Sequence, residues 1–135
     1  EGQPQGKARP RMSRFGHAYT PQKTRDYENI IKTACMAEMH RHSLEPTDAP
    51  VKVSIVAFMD IPKSWSKKKT EQAEYALIYP TAKPDIDNIV KAALDGVSGP
   101  QGVMLDDKQV VSLKAVKTFC HLDRGPVLYI SVSWE

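Results

Sequence analysis

A periodic apolar run that follows two aspartates constrains the fold of this chain more than any other feature. In the stretch KPDIDNIVKAALDG, residues 83–96, apolar side chains recur at the spacing of one helix face. This face consists of Ile86, Ile89, Val90, Ala93, Leu94 and Val97. The pattern predicts an amphipathic helix from about Ile86 to Val97 that stops at the glycines Gly96 and Gly99. Such a helix needs a sheet or a second helix to cover its apolar face.

The rest of the sequence predicts one further long helix, one short helix and three strands. The long helix begins at Thr20, an N-cap candidate followed by proline, and fades near His42. The short helix covers about Ser66 to Ala76. Strands are expected within the segments 51–60, 102–119 and 125–134, after an extended arm over residues 1–16. This order predicts one α+β domain over residues 1–135, with a small mixed, largely antiparallel sheet packed with helices.

Composition is that of an ordinary globular protein. Hydrophobic residues make up 41% of the 135 residues, and no apolar run approaches the length that crosses a bilayer. The two cysteines, Cys35 and Cys120, have neither zinc-site spacing nor a disulfide pattern. We therefore expect a cytoplasmic protein with no membrane partner and no small-molecule cofactor.

Basic residues gather at the N-terminal end of the chain. Residues 1–25 carry six lysines and arginines against one acid, a balance of +5, whereas the whole chain carries +3. Lys7, Arg9 and Arg11 alternate, so an extended backbone would project them from one face. Such an arm on a near-neutral body is typical of phosphate binding, and a merely solvated terminal tract is the alternative.

A second basic group surrounds Trp65. Lys67, Lys68 and Lys69 follow this tryptophan directly in the predicted short helix. Two interpretations stay open at this point. Either Trp65 is the hydrophobic anchor of a solvated helix start, or the segment is a mobile basic flap that contacts nucleic acid.

Two pairs of aspartates each have an ordinary structural explanation. Asp85 is a candidate helix cap, and an acid in the first turn favours the helix dipole. Asp87 and Lys91 have the spacing of a surface ion pair. Asp106 and Asp107 would form a turn near the start of the next strand.

The joint pattern of these acids predicts a metal site instead. An extended backbone before the helix, which Pro84 favours, directs the side chains of Asp85 and Asp87 the same way. Three or four converging carboxylates repel one another unless a divalent cation neutralises them. Oxygen ligands without Cys or His favour Mg²⁺, with Mn²⁺ as a substitute. Beside a basic surface, such a metal suits phosphodiester hydrolysis, because it activates a bound water and stabilises the developing charge.

The strings KPDIDNIVKAALDGV and LDDKQVVSLKAVK together closely resemble the RusA family of Holliday junction resolvases of bacteria and phages. GKARPRM, YTPQKTRDYE and SWSKKK are also similar to family segments, so the resemblance runs from about Gly6 to the last strand. It implies an α+β homodimer that depends on Mg²⁺ and resolves four-way DNA junctions by paired symmetric nicks. Family members begin with a strand of which EGQPQGKARPR is only the tail, so we expect the first strand to be truncated.

The resemblance also implies roles for individual residues. The family's catalytic residues fall on Asp85, Asp87, Lys91 and Asp107. The expected metal ligands are Asp85, Asp87, Asp106 and Asp107. DNA contacts are expected from Lys7, Arg9, Arg11, Arg14, Arg25, Lys67, Lys68, Lys69 and Lys83.

Two other functions remain compatible with the residues. A DNA-binding module without cleavage would share the basic arm, although an acidic cluster without metal would repel DNA. A Mg²⁺ nuclease that does not select branched DNA, or one that acts on RNA, would share every local motif, because the shape of a junction is read by a dimer surface.

Overall fold

The computed structural model describes residues 1–7, 11–12, 18–19 and 22–135, and for 11–12 and 18–19 it describes the strand backbone alone. Two short strands come first, β1 (Arg11–Met12) and β2 (Ala18–Tyr19). The remaining elements are α1 (Gln22–Arg41), β3 (Val51–Met59), α2 (Lys67–Glu74), α3 (Ile86–Val97), β4 (Val110–Phe119) and β5 (Val127–Ser133). The α+β class is confirmed, and the prediction of a single domain stays a prediction.

The three helices lie close to where the sequence predicts them. The bounds of α3 agree with the prediction, because its apolar period is unbroken from Ile86 to Val97. The predicted start of α1 at Thr20 lies outside the described residues. Helix α2 is shorter than predicted, and it begins after Ser66, whose Oγ accepts a hydrogen bond of 3.2 Å from the backbone N–H of Lys69.

The main sheet is mixed, with β3 between β4 and β5. Strand β5 pairs antiparallel with β3, as the short β1 does with β2, whereas β4 runs parallel to β3. The parallel pairing follows from the connection, since the chain leaves β3 and passes through α2 and α3 before it returns as β4. Antiparallel pairing therefore holds for β5, at the C-terminal end, but not for β4.

The core joins α1 and α3 to one face of this sheet. One cluster combines Tyr27, Ile31, Cys35 and Met39 of α1, Ala92, Ala93 and Val97 of α3, and Val51, Val53 and Ile55 of β3. A second cluster holds Ile89 of α3 together with Ala57 and Met59 of β3. The first turns of α3 thus pack at the end of β3, and its last turn packs at the beginning of β3. Helix α3 is therefore antiparallel to β3.

Gly96 lies inside α3 instead of stopping it, and the reason is the contact between α1 and α3. A Cβ built on Gly96 would lie 2.3 Å from Cγ2 of Ile31, much closer than any real contact of this kind. Glycine at this position lets the two helices approach each other. Gly99, with φ +104°, lies beyond the end of the helix at Val97.

We expect Gly96→Ala to destabilise the fold by about 1–3 kcal/mol, because overpacking outweighs the gain in helix propensity. Urea unfolding followed by circular dichroism measures the change. The double variant Gly96→Ala, Ile31→Ala is the control: removal of the clashing methyl groups should make the two costs less than additive. Equal stability of Gly96→Ala and the parent would contradict the packing explanation.

Candidate metal centre and nucleic-acid interface

The first aspartate pair stands at the start of α3. Asp85 occupies the N-cap position with φ −68° and ψ 149°, so the backbone is extended there, as the sequence predicts. Its carboxylate makes no capping hydrogen bond to any described residue. Asp87 follows in the first helical turn, and both side chains are exposed. Capping therefore does not account for Asp85.

Lys91 lies one turn further along α3, and it is exposed as well. The ion pairs formed within the described residues include none between Asp87 and Lys91. The surface-pair explanation for these two residues is therefore not met in this structure, and their catalytic roles stay predictions.

The second aspartate pair forms a capped turn before β4, as its ordinary structural explanation predicts. Residues Asp107–Gln109 make one turn of 3₁₀ helix, and β4 begins only at Val110. Asp106 Oδ1 accepts a hydrogen bond of 2.9 Å from the backbone N–H of Lys108. This hydrogen bond lowers the pKa of the Asp106 carboxyl, so the group is ionised at neutral pH. The Asp107 side chain contributes to the same lowering of the Asp106 pKa.

Gln109 fixes this turn to the loop before β3, a role that the sequence pattern did not reveal. Its Oε1 accepts from the backbone N–H of Asp106 at 2.9 Å, which completes a capping box. Its Nε2 donates to the carbonyls of Thr47 and Ala49 at 2.8 and 2.9 Å. The spacing of Asp106 and Gln109, N-cap and third helical residue, is the sequence signal that could have revealed the capping box.

The two aspartate pairs lie at opposite ends of the sheet. Gln109 ties the second pair to the loop before β3, where Val51 pairs with Val110. The first pair follows Pro84, whose carbonyl is bound by Lys117 near the other end of β4. Val110 and Lys117 are seven residues apart on β4, which corresponds to about 23 Å along the strand. Helix α3, which runs between them, is about 18 Å long.

The expected convergence of carboxylates therefore does not occur within one chain. Among the described residues, no three Asp, Glu, His or Cys side chains stand close enough together to hold a metal ion. Sequence spacing alone did not reveal this, because it depends on α3 being antiparallel to β3. Each pair by itself offers two carboxylates.

Lys7 is half-buried and forms ion pairs with two acids. Its ammonium forms ion pairs with Asp95 of α3 and with Glu28 of α1, the latter at 3.2 Å. The Lys7 side chain is 26% exposed, and the hydrogen bond to Asp95 raises its pKa. The predicted DNA contact of Lys7 competes with this internal role, because a phosphate would have to displace both carboxylates.

The other predicted DNA contacts are divided between described and undescribed regions. Arg9 and Arg14, and the side chain of Arg11, lie outside what the structure describes. Arg25 and Lys83 are exposed, and Arg25 Nη2 donates to Gln22 Oε1 at 2.7 Å. Exposure of Arg25 and Lys83 is compatible with phosphate contacts, which stay predictions.

Trp65 anchors the start of α2. Its ring packs edge-on against Phe119 of β4, with ring centres 5.2 Å apart. Lys69 Nζ lies 4.0 Å from the centre of the Trp65 ring, a cation–π contact. Lys67 and Lys68 are exposed. The anchor interpretation of Trp65 is confirmed, and DNA contacts by the three lysines stay predictions.

Comparison with known proteins decides the family. The model of the family Endodeoxyribonuclease RusA matches residues 1–132. This chain belongs to the RusA family. A curated relative of the RusA-family chain, an uncharacterized protein of Bacillus subtilis (strain 168) called YqaN, is 37% identical over 137 residues. The match covers 98% of this chain and 93% of YqaN.

The acidic residues of this RusA-family chain fit a hard divalent cation by their chemistry. Both pairs offer carboxylate oxygens, the ligands that Mg²⁺ and Mn²⁺ prefer. Asp106 and Asp107 are adjacent in the chain, and a divalent cation would offset the repulsion that neighbouring carboxylates exert on each other. In the described part of the chain, no helix combines the length and hydropathy that crossing a bilayer requires.

Proposed function

We propose that this RusA-family chain is a Mg²⁺-dependent endodeoxyribonuclease that resolves four-way DNA junctions by paired symmetric nicks. The observation that carries this proposal is that a member of an endodeoxyribonuclease family has aspartates exposed to solvent at the expected positions. Asp85, Asp87 and Asp107 are exposed, and the carboxylate of Asp85 is not used as a helix cap. Acids without a structural role are available for a metal ion.

The proposed ligands of Mg²⁺ are Asp85, Asp87, Asp106 and Asp107. When bound, the metal supplies an activated water and stabilises charge on the scissile phosphate. The chain itself contributes the placement of the carboxylates, through the start of α3 and the turn held by Gln109. Lys91 adds a positive charge one turn beyond Asp87, suited to a phosphate oxygen.

A homodimer would complete the site. The two pairs are about 20 Å apart within one chain, as judged from helix and strand rise. A two-fold dimer can bring Asp85 and Asp87 of one copy beside Asp107 of the other, and symmetry then creates two equal sites. Two equal sites match two symmetric nicks. The separation of the pairs therefore supports a dimer as the active species.

The proposed DNA contacts come from exposed basic residues of α1, α2 and the loop before α3, together with the N-terminal arm. Lys67, Lys68 and Lys69 belong to α2, and Lys83 lies two residues before Asp85. Arg25 is on α1, and the arm with Arg9, Arg11 and Arg14 is added on its sequence alone. These residues would bind phosphates and therefore contribute affinity for DNA of any shape. Lys7 is left out of this set because of its two internal ion pairs.

Cleavage of a synthetic mobile four-way junction tests the proposal. With Mg²⁺, we expect nicks at symmetric positions on two opposing strands, mapped on end-labelled DNA. EDTA should stop nicking, and binding, measured by gel shift with EDTA, should persist. Excess linear duplex should compete poorly. Binding without nicking in Mg²⁺ or Mn²⁺ would instead indicate a binding module, and equal cleavage of linear duplex would indicate a nuclease that does not select junctions.

A further inference from the structure

The ammonium of Lys117 binds two backbone carbonyls of the loop before α3. Lys117 lies on β4, and its Nζ donates to the carbonyls of Ala82 and Pro84 at 2.8 Å each. The side chain is half-buried. By contrast, Lys114 on the same strand is exposed and has no side-chain partner among the described residues. The ammonium of Lys117 thus ties the loop that precedes α3 to the sheet.

The position of these carbonyls matters because Asp85 follows Pro84 directly. The peptide group is planar, so a hydrogen bond that fixes the Pro84 oxygen also fixes the nitrogen of Asp85. On its other side, the Asp85 carbonyl accepts the first helical bond of α3, from the backbone N–H of Ile89 at 3.1 Å. The backbone of Asp85 is thereby held at both ends, although its carboxylate makes no capping bond to a described residue.

The N-terminal segment supports the same loop from another direction. The backbone N–H of Lys7 donates to the Asn88 carbonyl at 2.9 Å. Gly6 lies so close to the loop that a Cβ on it would be 2.8 Å from the Asn88 Cβ and 3.0 Å from the Pro84 Cβ. The start of α3 is therefore held between this segment and Lys117.

We propose that Lys117 is a positioning residue for the metal ligand Asp85, an inference that rests on the proposed function. Metal ligands must be held close to their productive geometry by the groups around them. Without the ammonium, the carbonyls of Ala82 and Pro84 lose their shared donor. The loop then relaxes, and Asp85 moves away from the position that a cation requires.

The test compares Lys117→Met, Lys117→Arg and the control Lys114→Met in the whole chain of 135 residues. Mn²⁺ binding without DNA, followed by the electron paramagnetic resonance of the free ion, gives a readout independent of cleavage. For Lys117→Met we expect about 10- to 100-fold weaker Mn²⁺ binding and a similar loss of single-turnover nicking, the range typical of ligand-supporting partners. Junction affinity in EDTA should stay within about twofold of the parent. Lys117→Arg should recover part of the loss, and Lys114→Met should match the parent.

Each possible result either supports or overturns the positioning role of Lys117. Equal Mn²⁺ affinity and nicking rates in Lys117→Met and Lys114→Met would overturn it while the proposed function stands. A parent protein that neither binds Mn²⁺ nor nicks junctions would overturn the proposed function, and the positioning role would fall with it. If Lys117→Met does not fold, Lys117→Val, which favours a strand and lacks a donor, is judged by the same two criteria.

Discussion

Mixing two inactive variants, Asp87→Asn and Asp107→Asn, is expected to restore nicking of four-way junctions. Each variant alone should be inactive, because it loses one carboxylate ligand from both sites of its dimer. In a mixed dimer the two substitutions fall together in one site. The other site then combines Asp87 of one chain with Asp107 of its partner copy, and it is intact. Restoration follows only if each site is shared between two chains.

The size of the effect follows from the pairing statistics. After equal amounts of the two variants have exchanged chains at random, about half of the dimers are mixed, and about a quarter of all sites are intact for a two-fold dimer. A mixed dimer has one working site, so a supercoiled plasmid with a cruciform should become nicked instead of linear. Differently tagged chains report the exchange directly.

A second mixture provides the control. Asp85→Asn and Asp87→Asn alter the same end of α3, so every site in their mixed dimer contains one substitution. That mixture should stay inactive although its chains exchange equally well. Failure of the first mixture to recover, with exchange demonstrated, would mean that one chain forms the whole site after a rearrangement, and the dimer argument would be wrong. Unchanged thermal melting of each variant shows that activity is lost without unfolding.

The sequence predicts local structure well here and the relation between distant segments poorly. The bounds of α3 are evident from its period, and Pro84 correctly indicates extended backbone at Asp85. Convergence of the two aspartate pairs within one chain could not be tested from spacing. It depends on α3 being antiparallel to β3 and on β4 being parallel to β3, which only packing determines.

The structure also differs from the sequence-based expectations in the partners of individual side chains. Lys7 fits an alternating basic arm, yet Glu28 and Asp95, distant in sequence, take up its charge. Gly96 has the sequence character of a helix stop, but the close approach of Ile31 explains it better. Asp106 and Gln109 look like the start of a strand until the capping box is recognised. The contacts of Lys7 and Gly96 are made with residues distant in sequence, whereas the spacing of the Asp106–Gln109 capping box is visible in the sequence.

Lys91→Met is expected to reduce single-turnover nicking by about 100-fold or more while junction affinity changes little. Loss of one preorganised donor to developing charge typically has an effect of about this size. Lys91 is exposed, and it forms no ion pair with Asp87 in the part of the chain that the structure describes. Its ammonium is therefore available to a phosphate of bound DNA.

The measurement separates chemistry from binding. Nicking is followed with enzyme in excess over labelled junction, and affinity is measured by gel shift in EDTA, with Lys114→Met as a matched loss of one exposed charge. Lys91→Arg keeps the charge but not the shape of an ammonium, so it should be intermediate. If Lys91→Met nicks within about threefold of the parent, the barrier has changed by less than about 1 kcal/mol. Lys91 would then be a solvated surface residue, and the positive charge at the scissile phosphate would have to come from the metal or from the partner copy.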